Sequence, residues 1–186
     1  MKLLKEIYRD PGLIPAGRML ERASAKAIVQ ERRRLLLIYS PQWDNYKFPG
    51  GGVVGEETDE QTLARELQEE CGASLLRIEG EFGAVVEYKR PFEPGYEIFK
   101  MVSRYYFCSV TAEFGKPDLD DYEEALGYRP VWVEIDMALQ ANLARLGSAD
   151  RPQLDWTQRE TFILGELKSL INPGFDAPLV SDPPST

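Results

Sequence analysis

The stretch "GGVVGEETDEQTLARELQEECGA", residues 51–73, contains a glycine-rich turn followed directly by a segment with helical periodicity. Thr58 and Gln61 have the spacing of a capping box, in which each side chain satisfies a backbone N–H group at the start of a helix. Gly72 is typical of the residue that follows a helix, because glycine adopts a left-handed backbone conformation without strain. The stretch therefore predicts a loop and then a helix that ends at about Cys71.

The predicted helix has two distinct faces when successive residues are placed about 100° apart. One arc is apolar and is predicted to be the buried stripe, formed by Leu63, Ala64, Leu67 and Cys71. The neighbouring arc carries the carboxylates of Glu66, Glu69 and Glu70. The acidic side chains are therefore expected to border the buried face of the helix.

These carboxylates are unfavourable in an isolated helix. Like charges three or four residues apart cost about a few tenths of a kcal/mol per pair, and acids near the C-terminus oppose the helix dipole. A bound cation would offset both effects, and oxygen ligands without histidine or cysteine favour Mg²⁺, Mn²⁺ or Ca²⁺ over zinc. The alternative is a solvated acidic face with Arg65 paired to Glu69, and the helix alone leaves both interpretations open.

The composition of the 186 residues narrows the classes of function. A net charge of −9 disfavours stable binding of nucleic acid, which requires a positive surface. The absence of histidine removes Ser-His and Cys-His catalysis, and two isolated cysteines do not form a disulfide framework. The sequence shows neither a signal peptide nor a transmembrane segment, so we expect a cytoplasmic protein without membrane contact.

Apolar runs and turn signals predict strands on both sides of the acidic helix. The predicted strands cover residues 23–29, 35–40, 46–52, 80–90, 97–114 and 129–135. Further helices are predicted near residues 136–145 and from a second capping box, Thr157 with Glu160, to Leu170. The remaining segments are expected to be a loosely structured or strand-like arm (1–20), an acidic loop or short turn (116–128) and a disordered tail (173–186). We therefore expect one layered α+β or α/β domain.

The spacing within residues 51–73 resembles the signature of the Nudix hydrolases. Its fixed positions are occupied by Gly51, Glu57, Arg65, Glu66, Glu69, Glu70 and Gly72, and Leu67 and Ala73 stand at its apolar positions. The resemblance implies an α/β/α sandwich with a mixed β-sheet, with the Nudix domain over residues 21–172. It also implies Mg²⁺-dependent cleavage of the diphosphate linkage of a nucleoside diphosphate derivative, with Mn²⁺ as a substitute ion.

The resemblance further implies roles for individual residues. Glu69 and Glu70 would be metal ligands, and Glu66 would be a ligand or the group that orients and deprotonates water. Gly50 would offer its backbone carbonyl to the metal ion. Structural roles fall to the pair of Glu57 with Arg65 and to the motif glycines Gly51 and Gly72.

Outside the motif the assignments rest on fewer residues. Nudix proteins often add an acidic residue from a later loop, and Glu123 or Glu124 is the candidate here, against the alternative of a solvated acidic loop. Several basic and aromatic side chains could contact a nucleotide. For each of these we expect cross-strand packing or surface charge instead: Tyr46, Lys47, Tyr88, Lys89 and Arg90.

Two classes of function remain open at this point. The first is an enzyme acting on a small nucleotide such as ADP-ribose or another nucleotide sugar, a dinucleoside polyphosphate or a modified nucleoside triphosphate. The second is a domain that keeps the fold but only senses a ligand, since a fold does not guarantee its chemistry. The intact set of Glu66, Glu69 and Glu70 favours the enzyme. A homodimer is open as an alternative to a monomer.

Overall fold

The computed structural model describes residues 1–148 and 156–170, so the predicted tail at 173–186 lies outside the described residues. The strands in these ranges are β1 (Leu3–Tyr8), β2 (Met19–Ile28), β3 (Gln30–Glu31), β4 (Arg34–Ser40), β5 (Asn45–Lys47), β6 (Gly50–Gly52), β7 (Leu75–Lys89), β8 (Ile98–Val110) and β9 (Arg129–Glu134). The helices are α1 (Asp59–Cys71), α2 (Asp121–Ala125), α3 (Ile135–Leu146) and α4 (Thr157–Leu170). Among these helices none is long and apolar enough to cross a bilayer.

Both predicted ends of helix α1 are confirmed. The Thr58 hydroxyl accepts from the Gln61 N–H at 3.2 Å, and the Gln61 side chain accepts from the Thr58 N–H at 2.8 Å. The helix ends at Cys71, and Gly72 has the left-handed φ of 66°. Local sequence signals therefore determine the length of this helix, whatever packs around it.

The face that α1 buries differs slightly from the predicted stripe. Leu63, Leu67 and Cys71 are fully buried, as expected. Ala64, in contrast, is exposed, and residue Glu70 is only 2 % exposed. The helix is thus rotated so that one of its carboxylates lies in the interior of the protein.

Two sheets form the body of the domain. The larger has the order β1-β7-β8-β2-β6 and is mixed, because β1/β7 and β2/β8 are parallel whereas β7/β8 and β2/β6 are antiparallel. The smaller sheet pairs β4 with β3, β5 and β9, all antiparallel. The predicted mixed sheet is confirmed, and the smaller antiparallel sheet accompanies it.

Strand β4 shows how the layers are arranged, since successive side chains of a strand face opposite sides. Leu35 and Leu37 pack in a cluster with Leu164 of α4, whereas Leu36 packs in a second cluster with Leu67 of α1. Helix α1 therefore lies on one side of this strand and α4 on the other. This is the predicted layered α/β/α arrangement.

Two segments contain more regular structure than a loop. Within residues 1–20, β1 pairs with β7 and buries Ile7 in the core, so this part of the predicted arm is a strand of the larger sheet. Within residues 116–128, a short helix forms, α2, and Asp120 caps it by accepting from the Glu123 N–H at 2.7 Å. One helical turn is too short to produce a periodic apolar pattern, which explains why the sequence indicated only a loop or turn.

Replacing Gly72 with alanine is predicted to destabilise the fold, whereas Gly165→Ala in α4 should stabilise it. A Cβ atom at Gly72 would require a left-handed alanine and would lie 2.3 Å from the Gly115 carbonyl oxygen. We expect a loss of about 1–2 kcal/mol or more at this position. At Gly165 a Cβ atom meets nothing within 4 Å, so the better helix propensity of alanine should add up to about 1 kcal/mol. Denaturant unfolding of both variants tests the pair, and equal stabilities would contradict it.

Candidate active site

A cavity of about 400 Å³ lies where the Gly50–Gly52 strand, helices α1 and α2 and the start of α4 meet. Its acidic lining residues are Glu66, Glu70, Asp120, Glu123 and Glu160. Its basic lining residues are Lys26, Lys47 and Arg159, and its aromatic ones are Tyr122, Tyr128 and Trp156. Gly50 and Gly51 complete the wall. The cavity therefore brings both signs of charge together in a partly enclosed space.

Glu70 is the most deeply buried carboxylate of helix α1, the helix that carries the sequence motif. One of its oxygens accepts from the Gly50 N–H at 2.6 Å, and the other accepts from the Lys47 ammonium at 2.7 Å. A buried carboxylate requires such partners, because its desolvation is otherwise very costly. The segment 49–57, called the glycine loop below, thus faces helix α1, with the Gly50 N–H directed at the Glu70 carboxylate.

The Lys47 side chain links helix α1 to helix α2 through ion pairs with one acid of each. Its ammonium also donates to Glu123 at 2.9 Å and lies 4.5 Å from the centre of the Tyr128 ring. Burial lowers the pKa of Lys47, but the charges of Glu70 and Glu123 outweigh burial and raise that pKa above its ordinary value. The expectation that Lys47 is a surface charge was therefore wrong, because its side chain points inward from β5.

Lys26 is the second lysine of the cavity and comes from the apolar strand β2. Its ammonium donates to the carbonyl oxygen of Gly50, and the side chain is buried. Burial lowers its pKa. The carbonyl that the family resemblance assigns to a metal ion thus contacts a cationic side chain here, and its role as a metal ligand stays a prediction.

Arg65 forms the predicted pair with Glu57. Its guanidinium donates to both oxygens of Glu57, at 2.9 and 3.0 Å, and also contacts the Gly52 carbonyl at 3.1 Å. The hydrogen bond from Arg65, aided by the Val54 N–H, lowers the pKa of Glu57 to about 2. These contacts fasten the glycine loop to helix α1.

The same guanidinium also holds two other acids of the motif. It donates to Glu66 at 2.7 Å and to Glu69 at 3.0 Å. Glu66 lines the cavity, whereas the Glu69 side chain is 43 % exposed and is not among the lining residues. A Cβ atom on Gly51 would lie 2.2 Å from a Glu66 oxygen, so this glycine allows the carboxylate to approach the loop.

The two candidate acids of the later loop have different positions. Glu123 lines the cavity and shares Lys47 with Glu70. Burial raises the pKa of Glu123, and the attraction of Lys47 only partly offsets that effect. Glu124 follows it on helix α2, is exposed and is not among the lining residues. The structure therefore brings Glu123, but not Glu124, into the cavity beside Glu70 of helix α1.

Helix α4 supports the loop from the opposite side. Glu160 is fully buried and accepts from the Phe48 N–H at 3.0 Å and the Tyr105 hydroxyl at 3.1 Å. Arg159 donates to Glu160 at 2.8 Å and also pairs with Glu87. The predicted capping box of Thr157 and Glu160 was therefore wrong about this carboxylate, which is directed into the core.

Sequence reasoning missed several lining residues, namely Lys26, Asp120, Tyr122, Tyr128, Trp156, Arg159 and Glu160. Lys26 carried a usable signal, because it interrupts the apolar run "ASAKAIV" of a predicted strand. A charged residue in such a run must be paired or functional if it is buried. Arg159 and Glu160 carried none, since charges in the first turn of a helix are ordinary surface features.

The oxygen atoms around the cavity are of the chemical type that binds a hard divalent cation. Carboxylates and a backbone carbonyl are the ligands that Mg²⁺ and Mn²⁺ prefer, and two ammonium groups already contact these oxygens. Across residues 1–148 and 156–170, however, no group of three or more acidic, histidine or cysteine side chains is arranged to hold a metal ion. The ligands that the resemblance implies, Glu66, Glu69, Glu70 and the Gly50 carbonyl, therefore stay a prediction, and of these only Glu69 lies outside the cavity lining.

Comparison with known proteins gives a consistent family. The model of the NUDIX domain matches residues 19–157. The structure resembles the mutator MutT protein of Bacillus halodurans with a TM-score of 0.55, 18% identity, and coverage of 81% of this chain and 82% of that one. It resembles a NUDIX hydrolase from Nitrosomonas europaea with a TM-score of 0.51, 20% identity, and coverage of 86% and 94%. At these identities the structural matches show the fold.

One curated relative is similar in sequence. It is an RNA pyrophosphohydrolase of a Nitratiruptor species, 31% identical over 83 residues. The match covers 43% of this chain and 53% of the relative. The chain thus spans about half the length of the curated relative it matches.

Glu57→Gln is predicted to lower stability in a pH-dependent way. The folded pKa of Glu57 is about 2, below its ordinary value of 4.5, so its ion pair stabilises the fold above pH 4.5. That contribution is lost as the pH falls from 4.5 towards 2. The difference in unfolding free energy between wild type and variant should therefore shrink over this range. Denaturant unfolding at several pH values measures it, with the exposed Glu56→Gln as the matched control; a constant difference would contradict the prediction.

Proposed function

The chain belongs to the Nudix hydrolase family, and we propose that it is a Mg²⁺-dependent hydrolase of the diphosphate linkage in a nucleoside diphosphate derivative. The observation that carries the proposal is the meeting of Glu70 and Glu123 at one largely buried cation, Lys47, in the cavity. The two residues are 53 positions apart in the sequence, so only the fold brings them together. The name of the Nitratiruptor relative supports hydrolysis of a pyrophosphate linkage in general.

The chain's own residues supply binding and orientation. Lys26, Lys47 and Arg159 line the cavity and would attract the two phosphates, which bare carboxylates would repel. The Gly50 N–H holds the Glu70 carboxylate in place, and Arg65 holds Glu66. A bound Mg²⁺ would supply charge neutralisation of the phosphates and activation of the attacking water.

Glu66 is the residue that we propose as the proton acceptor. It lines the cavity with its side chain 13% exposed, so water can reach it. Its contact with Arg65 at 2.7 Å orients the carboxylate, as a general base requires. Positioning and electrostatics supply most of the rate in phosphoryl transfer, and no covalent nucleophile is required.

The proposed substrate is a small nucleotide rather than a long RNA. The net charge of −9 disfavours a polyanion that must lie along the surface, whereas a diphosphate can enter the cavity. Tyr122, Tyr128 and Trp156 line the same cavity and offer ring surfaces for a base or sugar. A nucleotide sugar such as ADP-ribose, a dinucleoside polyphosphate and a modified nucleoside triphosphate all match this description. A cytoplasmic location is a further part of the proposal, and a homodimer stays open as an alternative to a monomer.

The second candidate is a Nudix-like domain that senses a nucleotide without cleaving it. One observation favours it: Lys47 and Lys26 contact the carboxylate and carbonyl oxygens that a catalytic metal ion would need. Binding of a nucleotide without turnover, with Mg²⁺ present, would support this function and contradict the hydrolase.

Glu70→Gln and Glu66→Gln are predicted to abolish hydrolysis. The purified protein is incubated with Mg²⁺ and a panel of nucleoside diphosphate derivatives, and products are separated by chromatography. We expect cleavage of at least one compound by the wild type and a loss of about 100-fold or more in each variant, because a carboxylate that binds cation or accepts a proton is removed. Full activity in both variants would rule out the proposed site.

Glu123→Gln and Glu124→Gln form a matched pair of neighbouring substitutions. Glu123 lines the cavity, whereas Glu124 is exposed on the same short helix. We expect Glu123→Gln to lower kcat by about 10-fold or more, and Glu124→Gln to stay within about twofold of wild type. Equal kcat values for the two variants, measured on the best compound of the panel, would contradict the placement of α2 at the site.

A further inference from the structure

Lys47 is the cation that holds two carboxylates of the cavity together. Its ammonium lies 2.7 Å from an oxygen of Glu70 and 2.9 Å from an oxygen of Glu123. All three side chains are largely buried, with exposed fractions of 14 %, 3 % and 15 % for the lysine and the two acids. Two acids this close would repel each other strongly if no cation lay between them.

The neighbouring cations have partners of their own. Arg159 pairs with Glu160 and Glu87, and Lys26 donates to the Gly50 carbonyl. Arg65 is engaged with Glu57, Glu66 and Glu69. Among the described residues, Lys47 is thus the cation that makes ion pairs with both Glu70 and Glu123.

A divalent ion that binds Glu70 must compete with this arrangement. One oxygen of Glu70 accepts from the Gly50 N–H and the other from Lys47, so both already have donors. An ammonium and a divalent cation at the same pair of carboxylates would repel each other at short range. Binding of the ion and retention of Lys47 between the two acids are thus opposed.

We propose that Lys47 is an exchangeable counter-ion, which pairs with Glu70 and Glu123 before a divalent cation binds and leaves them when it does. This inference rests on the proposed function, since it concerns the same metal ion. The flexible four-carbon stem of lysine allows the ammonium to move within the cavity it lines. Once released, Lys47 would take the diphosphate as its new anionic partner, so that the ion and the substrate would bind in a coupled manner.

The test is the affinity for Mn²⁺ alone, measured by calorimetry and by the EPR signal of the free ion. Lys47→Met removes the competing charge and keeps most of the length of the side chain, so we expect Mn²⁺ to bind about tenfold more tightly or better. Lys47→Arg keeps the charge and should bind Mn²⁺ no more tightly than wild type. Lys100→Met removes an equal charge from an ion pair with Glu21 on the larger sheet and should stay within about twofold.

The outcomes separate the two proposals. Equal or weaker Mn²⁺ binding by Lys47→Met would overturn the counter-ion role while leaving the hydrolase intact, since a merely structural lysine would weaken binding when lost. No Mn²⁺ binding by the wild type or any variant would overturn the metal-dependent function and this inference with it.

A second measurement uses the wild-type chain, in case Lys47→Met does not fold. Lysines are acylated briefly with and without Mn²⁺, and each site is quantified by mass spectrometry. We expect the acylation of Lys47 to rise several-fold with Mn²⁺ while that of Lys100 stays constant. An unchanged or lower acylation of Lys47 would overturn the proposal.

Discussion

The carboxylate of Glu70 sets the main constraint on this structure, because it is a charged group almost completely removed from water. Such a group needs hydrogen bonds from both sides, and it takes them from the Gly50 N–H and the Lys47 ammonium. The loop must therefore run close to helix α1, which the absence of a Cβ atom at Gly51 permits next to Glu66. The shape of the cavity follows from this pairing of helix and loop.

Two further contacts of charged side chains keep the loop close to Glu70. At the C-terminal end of the loop, Arg65 pairs with Glu57, and just before the loop, Glu160 of helix α4 accepts a hydrogen bond from the Phe48 N–H. Glu160 itself is fully buried and is balanced by Arg159. Buried ion pairs of this kind add little net stability, but losing one partner is costly. Their effect here is to give the loop one well-defined position between two helices.

The sequence correctly predicted the ends of helix α1, which local interactions determine. It was wrong about which side chains are buried, because burial depends on residues that are distant in the sequence. Both ends of α1 follow from Thr58, Gln61 and Gly72, because caps act within a few residues. Which residues of α1 enter the core depends on how the helix is rotated against the sheets. The predicted buried stripe therefore wrongly included Ala64, which is exposed, and left out Glu70, which is buried. Lys47 was assigned to the surface because a three-residue strand carries too little alternation to show which side faces inward.

The combined charges explain how an acidic protein can present a site suited to an anionic ligand. The net charge of −9 acts at long range, where salt screens it beyond about 8 Å at physiological ionic strength. Inside the cavity the dielectric is lower, and the balance among Lys26, Lys47 and Arg159 and the acidic lining residues dominates. The acidic lining residues outnumber these three cations, so under the proposed function the cavity would repel a diphosphate until a divalent cation offset the excess of negative charge. With such an ion bound, the three cationic side chains would attract the phosphates, which would give a physical reason for the proposed ion and nucleotide to bind together.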